Sequence, residues 1–173
     1  DLMLFDDNKE ILSKCSHLVF MDCDMSVVST VGEEILVTKG LGIVRHPGYF
    51  ISDGWGNTDY ENPKESTSYM PVENRKHYYC GGLQIGTSEA YLELSKVLAE
   101  NIKIDEANGV MAIWHDKTHY NKYINENFGK IPMKEFTPSL CMVEQTGLRK
   151  LWGIDNLPVQ IIALSKDHKT IRE

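Results

Sequence analysis

Two aspartates, Asp22 and Asp24, stand two residues apart directly after the apolar run His17-Leu18-Val19-Phe20-Met21. Carboxylates at that spacing, where a strand gives way to a loop, can approach one hard cation together. The carboxyl ends of strands are also where open α/β sheets bind their ligands. A solvated turn is the ordinary reading of a lone Asp-x-Asp, and the apolar strand in front of it argues for the cation site.

Two further segments carry chemistry-capable residues. In Trp114-His115-Asp116-Lys117-Thr118-His119, the two histidines lie one helical turn apart, a spacing that can hold zinc. A zinc protease would have Glu where Asp116 stands, so a helix start with incidental histidines is the better reading. In Tyr78-Tyr79-Cys80-Gly81-Gly82, paired glycines interrupt a strand-like stretch. Glycines weaken a strand unless it bulges there or a ligand approaches the backbone closely, as in the wall of a sugar or nucleotide pocket. A phosphatase of the haloacid-dehalogenase type also begins with strand-Asp-x-Asp and would use Asp22 as nucleophile. It needs a second acidic pair at a strand end, and none follows.

The elements that must position these residues read as mixed α/β. Residues 1–14 suit an amphipathic helix, His17–Met21 a buried strand, and Leu41–Val44 a strand running into Arg45-His46-Pro47-Gly48. Val31–Val37 reads as another short element. Residues 47–77 form a long irregular stretch of the kind that is functional or mobile. His77–Cys80 and Leu83–Ile85 read as strand pieces, and Thr87-Ser88-Glu89 offers an N-cap to a helix carrying Leu92, Leu94, Val97, Leu98 and Ile102. Asp116–Tyr123 is expected to be helical, Ile131–Phe136 a strand ending at Thr137-Pro138, and Val159–Leu164 a last strand before a basic tail.

Composition narrows the function classes. The chain has 173 residues, one domain's worth, with 42% hydrophobic and 25% charged residues, which excludes disorder and fibres. A net charge of −7 and the lack of any Lys/Arg block disfavour nucleic acid and anionic membrane as partners. No apolar run approaches the roughly 18–20 residues of a spanning helix. The four cysteines, Cys15, Cys23, Cys80 and Cys141, form no Cys-x-x-Cys pair, so neither a structural zinc site nor a thioredoxin-type motif is supported. Cys15 and Cys23, near the first strand, read as small hydrophobes.

Taken in order, Phe20-Met21-Asp22-Cys23-Asp24-Met25, His46-Pro47-Gly48, Tyr60-Glu61, Tyr69-Met70-Pro71, Tyr78-Tyr79-Cys80-Gly81-Gly82, Trp114-His115-Asp116, His119 and Asn121-Lys122-Tyr123 resemble one family. It is the retaining α-1,3-galactosyl- and N-acetylgalactosaminyltransferases, which include the histo-blood-group A and B enzymes. The resemblance implies a GT-A nucleotide-sugar-binding fold, a Rossmann-like mixed sheet between helices. It makes residues 1–173 the carboxyl-terminal larger part of one catalytic domain, with the uracil-binding strands upstream and missing from this chain.

By resemblance, Asp22 and Asp24 hold Mn²⁺ and, through it, the UDP diphosphate, with Asp24 the direct ligand and Asp22 serving ribose and metal shell. Cys80, Gly81 and Gly82 line the donor sugar, and the missing side chain at Gly82 leaves room for the acetamido group of GalNAc. His46 and Trp114 meet the acceptor. His115 and Asp116 surround the donor sugar, and Lys166, His168 and Arg172 lie in a basic tail over the diphosphate. The implied reaction moves GalNAc or Gal from its UDP-sugar to the 3-hydroxyl of a galactose-terminated glycan. The implied location is the lumenal side of the Golgi membrane for an animal protein, or the cytoplasm for a bacterial or phage one.

Three departures stand out. Lys117 occupies the position of the family's catalytic Glu, the carboxylate that faces the anomeric carbon. An ammonium there repels an oxocarbenium-like centre. The chain then either works by front-face attack assisted by UDP or is a silenced relative that binds UDP-sugar or glycan. Asn62-Pro63 replaces two arginines after Tyr60-Glu61, and Cys141-Met142-Val143 replaces an aromatic-acidic acceptor segment.

Overall fold

The computed structural model describes residue 5, residues 7–52 and residues 59–165. In chain order these form α1 (Lys9–Leu12), β1 (His17–Met21), β2 (Met25–Val27), β3 (Leu41–Val44), β4 (Leu83–Thr87), α2 (Ser88–Ala107), α3 (Asp116–Asn127), β5 (Met133–Phe136), β6 (Met142–Val143), α4 (Thr146–Leu151) and β7 (Ile161–Ala163). The expected element around Val31–Val37 is a short 3-10 turn, Glu33–Ile35. Tyr79 lies outside β4 and makes only an isolated bridge to Arg45.

Two mixed sheets result. The larger has the order β1-β4-β3-β5, with β4 antiparallel to both neighbours and β3 parallel to β5. The smaller has the order β2-β7-β6. Period-two alternation sends Leu41 and Ile43 of β3 to one face, where they pack with Tyr91, Leu94 and Leu98 of α2 and Tyr120 and Ile124 of α3. Val44, with Leu83 and Ile85 of β4, faces the other way, onto Leu140, Cys141 and Ile161. The sheet is thus covered by helices on one side and by the smaller sheet on the other, the mixed α/β layering expected. Each fully buried leucine at these positions contributes about 1.5–3 kcal/mol relative to exposure.

β1 differs from its expectation. Only Leu18 is buried, and Val19 and Met21 are 47% and 43% exposed. The run is apolar, but β1 is an edge strand, and its second face is uncovered by any described residue. Cys15 and Cys23 are exposed as well and do not serve as core. The turn into β3 requires Gly40, whose φ is +70° and whose added Cβ would run into the Pro132 carbonyl.

The two long helices are held differently. α2 starts where expected, with Thr87 Oγ1 accepting the Ala90 N–H, and buries an apolar stripe. α3 is polar and buries few apolar side chains, so hydrogen bonds hold it. Asn121, fully buried, accepts the Tyr79 N–H (2.7 Å) and donates to the Tyr79 carbonyl (3.0 Å). One turn later Asn125 accepts the Lys76 N–H (2.9 Å) and donates to the His77 carbonyl (3.0 Å). These amides act as a substitute strand along residues 76–80.

Candidate active site

Asp22 and Asp24 sit where the two sheets meet, in the link from β1 to β2. The backbone fixes both: the Asp22 N–H donates to the Gly82 carbonyl (2.8 Å), and the Leu164 N–H donates to the Asp24 carbonyl (2.9 Å). Both aspartates line a cleft of about 190 Å³ with His46, Cys80, Gly81, Gly82 and Lys117, seven of the residues singled out in the sequence. Met25, Pro47, Cys141, Val143 and Ala163 complete it. Cys80 and Cys141, which no spacing rule paired, are joined by a disulfide across 61 residues and form one wall.

The floor of the cleft is bare backbone with side chains pressed over it. A Cβ at Gly82 would come within 3.0 Å of Asp22 Oδ2 and of Met25 Sδ. A Cβ at Gly81 would come within 2.8 Å of Lys117 Cγ. The space beside Gly82 is therefore already held by the Asp22 carboxylate and the Met25 thioether.

Lys117 reaches over this floor from the first turn of α3. Its Nζ lies 5.3 Å from the Tyr78 ring centroid and 5.1 Å from that of Trp114, two cation–π contacts. Burial pushes its pKa down, while the carboxylates of Asp59, Asp116 and Asp22 act from a distance to raise it. Tyr78 belongs to a cluster of rings with Tyr49, Tyr60 and His46, at centroid separations of 5.1–5.6 Å. His46 accepts the Gly48 N–H at Nδ1 (3.2 Å), so its proton sits on Nε2. Burial, then the Lys117 charge, pushes its pKa down to about 3.

The loop before α3 is over-determined. His115 has φ +52°, a left-handed value unusual for a non-glycine residue. Its flanks are pinned: buried Glu61 accepts the Ile113 N–H (2.7 Å) and Thr118 Oγ1 accepts the Trp114 N–H (2.9 Å). Glu61 and Asn121 thus position Trp114 and Lys117, roles that the motif strings alone did not disclose.

His115 and Asp116 do not line the cleft. They border a separate cavity of about 340 Å³ between α2 and α3, together with His119 and Asp105. His115 is exposed, whereas His119 is buried with Nε2 3.6 Å from Asp105 Oδ2. Burial keeps His119 below its ordinary pKa against the pull of Asp105. Burial opposes ionisation of Asp105, yet hydrogen bonds from Ser66 (2.6 Å) and the Thr67 N–H (2.7 Å) bring its carboxyl below the usual range. Among the described residues, no three His, Cys, Asp or Glu side chains converge as a metal cluster. Lys166, His168 and Arg172 lie outside the described residues.

The sequence pattern of Glycosyltransferase family 6 matches residues 6–173, nearly the whole chain. The chain belongs to glycosyltransferase family 6. Within this family it is similar to histo-blood group ABO system transferase 1 of Rattus norvegicus, 33% identical over 158 residues, covering 90% of this chain and 42% of that protein. It is likewise 33% identical to histo-blood group ABO system transferase 2 of the same organism, over 90% of this chain and 44% of the relative. Globoside alpha-1,3-N-acetylgalactosaminyltransferase 1 of Gallus gallus is 32% identical over 107 residues, covering 62% of this chain and 30% of the relative. The chain thus spans under half the length of the curated relatives it matches. Among the described residues of this family 6 member, no helix is long and apolar enough to cross a membrane.

Proposed function

We propose that this family 6 chain carries the metal- and donor-binding part of a retaining glycosyltransferase. The enzyme would transfer GalNAc or Gal from its UDP-sugar to the 3-hydroxyl of a galactose-terminated glycan. The observation that carries the reading is one cleft holding Asp22, Asp24 and the Gly81-Gly82 floor, in a chain whose family is assigned. Two carboxylates lining one cleft suit a hard divalent cation, for which phosphate oxygens and water would be further ligands. When bound, Mn²⁺ would neutralise charge gathering on the UDP leaving group.

The chain's own residues supply the rest. Asp22 and Asp24 would hold the cation, with their backbones fixed by Gly82 and Leu164. The aromatic face of Trp114 and the Nε2 proton of neutral His46 suit an acceptor sugar. Lys117 stands where a double displacement would need a carboxylate, which favours departure and attack on the same face of the donor. The Cys80–Cys141 disulfide suits an oxidising compartment, which supports the Golgi lumen over the cytoplasm. Family membership leaves the phosphoaspartate-hydrolase alternative without support.

The test is Mn²⁺-dependent UDP release from UDP-GalNAc and UDP-Gal, with and without galactosyl acceptors, by the natural protein and by Lys117→Glu. Acceptor-dependent turnover by the natural protein is expected. Lys117 favours one second reading, a silenced binder, and turnover only in Lys117→Glu would establish it.

A further inference from the structure

Lys117 is a cation in a place that disfavours one, with the Asp59, Asp116 and Asp22 carboxylates acting only from a distance. It lies in the first turn of α3, where the helix dipole favours anions and disfavours a cation. Burial penalises its charge further. Two aromatic faces orient the ammonium without neutralising it, and among the described residues no carboxylate lies within ion-pairing distance of it. Its aliphatic stem covers Gly81 while the Asp22 carboxylate covers Gly82, and adjacent Cα atoms are only about 3.8 Å apart. The stem of a cationic side chain and a carboxylate therefore stand over neighbouring units of one bare floor, with the ammonium beyond the stem against the Tyr78 and Trp114 rings. A desolvated cation that lines a cleft and has no carboxylate at ion-pairing distance among the described residues is a site for a ligand's anionic oxygen.

We propose that Lys117 is the protein's own counter-ion for the donor's diphosphate, its Nζ donating to a β-phosphate oxygen over Gly81-Gly82. The proposal rests on the nucleotide-sugar reading above and adds a residue to it. During transfer the bond from the anomeric carbon to the β-phosphate oxygen breaks, and its electron pair leaves on that oxygen. The acceptor hydroxyl oxygen bonds to the anomeric carbon, and its proton passes to the departing phosphate. Lys117 keeps its proton throughout and holds the growing negative charge. The position thus assists leaving-group departure in place of nucleophilic attack. A carboxylate on the sugar offers the same anionic oxygen from a different source, so the experiment includes it.

The experiment is titration calorimetry of the protein as its gene encodes it, with Lys117→Met and Lys117→Arg. UDP, UMP, uridine and galacturonic acid are the probes, each with Mn²⁺ and with chelator. Met preserves the stem over Gly81, and Arg preserves the charge. Lys117→Met is expected to weaken UDP by about ten- to hundredfold, as for loss of a charge-assisted hydrogen bond, and to leave uridine unchanged. Arg should retain most of the affinity. In chelator the natural protein should still prefer UDP to uridine, and Lys117→Met should lose that preference. Unchanged UDP affinity in Lys117→Met, an equal loss for uridine, or an effect confined to galacturonic acid overturns the proposal and leaves the nucleotide-sugar reading standing. Failure of the natural protein to bind any uridine compound overturns both.

Discussion

The two ends of the cleft are built on opposite plans. At the acidic end, Asp22 and Asp24 lie two residues apart in one strand link, fixed by two backbone hydrogen bonds, and their side chains carry no part of the core. At the aromatic end, Lys117 and His46 line the cleft, the Trp114 and Tyr78 rings pack against the Lys117 ammonium, and the four come from three distant segments. Buried polar groups join those segments: Asn121 to Tyr79, Glu61 to Ile113 and Asn125 to Lys76. The difference teaches that the first end is separable from folding, and the second is not. On the proposed function, charge at the acidic end is placed for a ligand, whereas a side chain lost at the aromatic end also loosens the scaffold.

The sharpest way to break this contrast is Asp24→Ala. It is expected to abolish Mn²⁺-dependent UDP-sugar binding in calorimetry while lowering the melting temperature less than a truncation at the aromatic end does. A large fall in melting temperature would show that the acidic end is structural as well. Asn121→Ala should do the converse. Leaving the buried Tyr79 N–H and carbonyl without partners costs about 3 kcal/mol, read as a lowered denaturation midpoint.

The next effect is pH dependence. His46 has a pKa of about 3 when folded against 6.5 as the reference. Between those values the unfolded chain binds the extra proton and the folded chain does not, so stability rises with pH through that window and is lost as pH falls. The loss from pH 6.5 to pH 5 is about 2 kcal/mol. His46→Asn should flatten that limb in denaturation measured across pH. An unaltered limb would place the acid sensitivity elsewhere, with His119 the next candidate.

The smallest effect is expected at the boundary between the two ends. Gly82→Ala adds a methyl that presses on Asp22 Oδ2 and Met25 Sδ. It should shift donor preference towards UDP-Gal by about tenfold, the scale of one methyl in a pocket. An unaltered donor ratio with weakened Mn²⁺ binding would mean that Gly82 makes room for Asp22, not for the acetamido group.

What could be read from the sequence follows the same division. The Asp-x-Asp at a strand end, the Thr87 cap and the halt of β5 at Thr137-Pro138 are local patterns, and all three stand in the structure. The apolar run of β1 was legible as a strand but not as an edge, because exposure depends on which strand pairs where. Asp116 and Lys117 are neighbours in sequence, yet about 100° apart on a helix, so one borders the cavity and the other the cleft. The Cys80–Cys141 bond spans 61 residues, a separation at which no spacing rule operates. Asn121 and Glu61 stood inside motif strings with no sign that their amide and carboxylate hold backbone.

The asparagine clamp bears on how such a site can diverge. Asn121 grips the N–H and carbonyl of residue 79, groups every residue type except proline possesses, and makes no demand on the side chains at 81 and 82 on the cleft floor. Substitutions at those lining positions can therefore accumulate while α3 stays in register. A lineage holding this clamp keeps α3 anchored while the floor of its cleft changes one residue at a time.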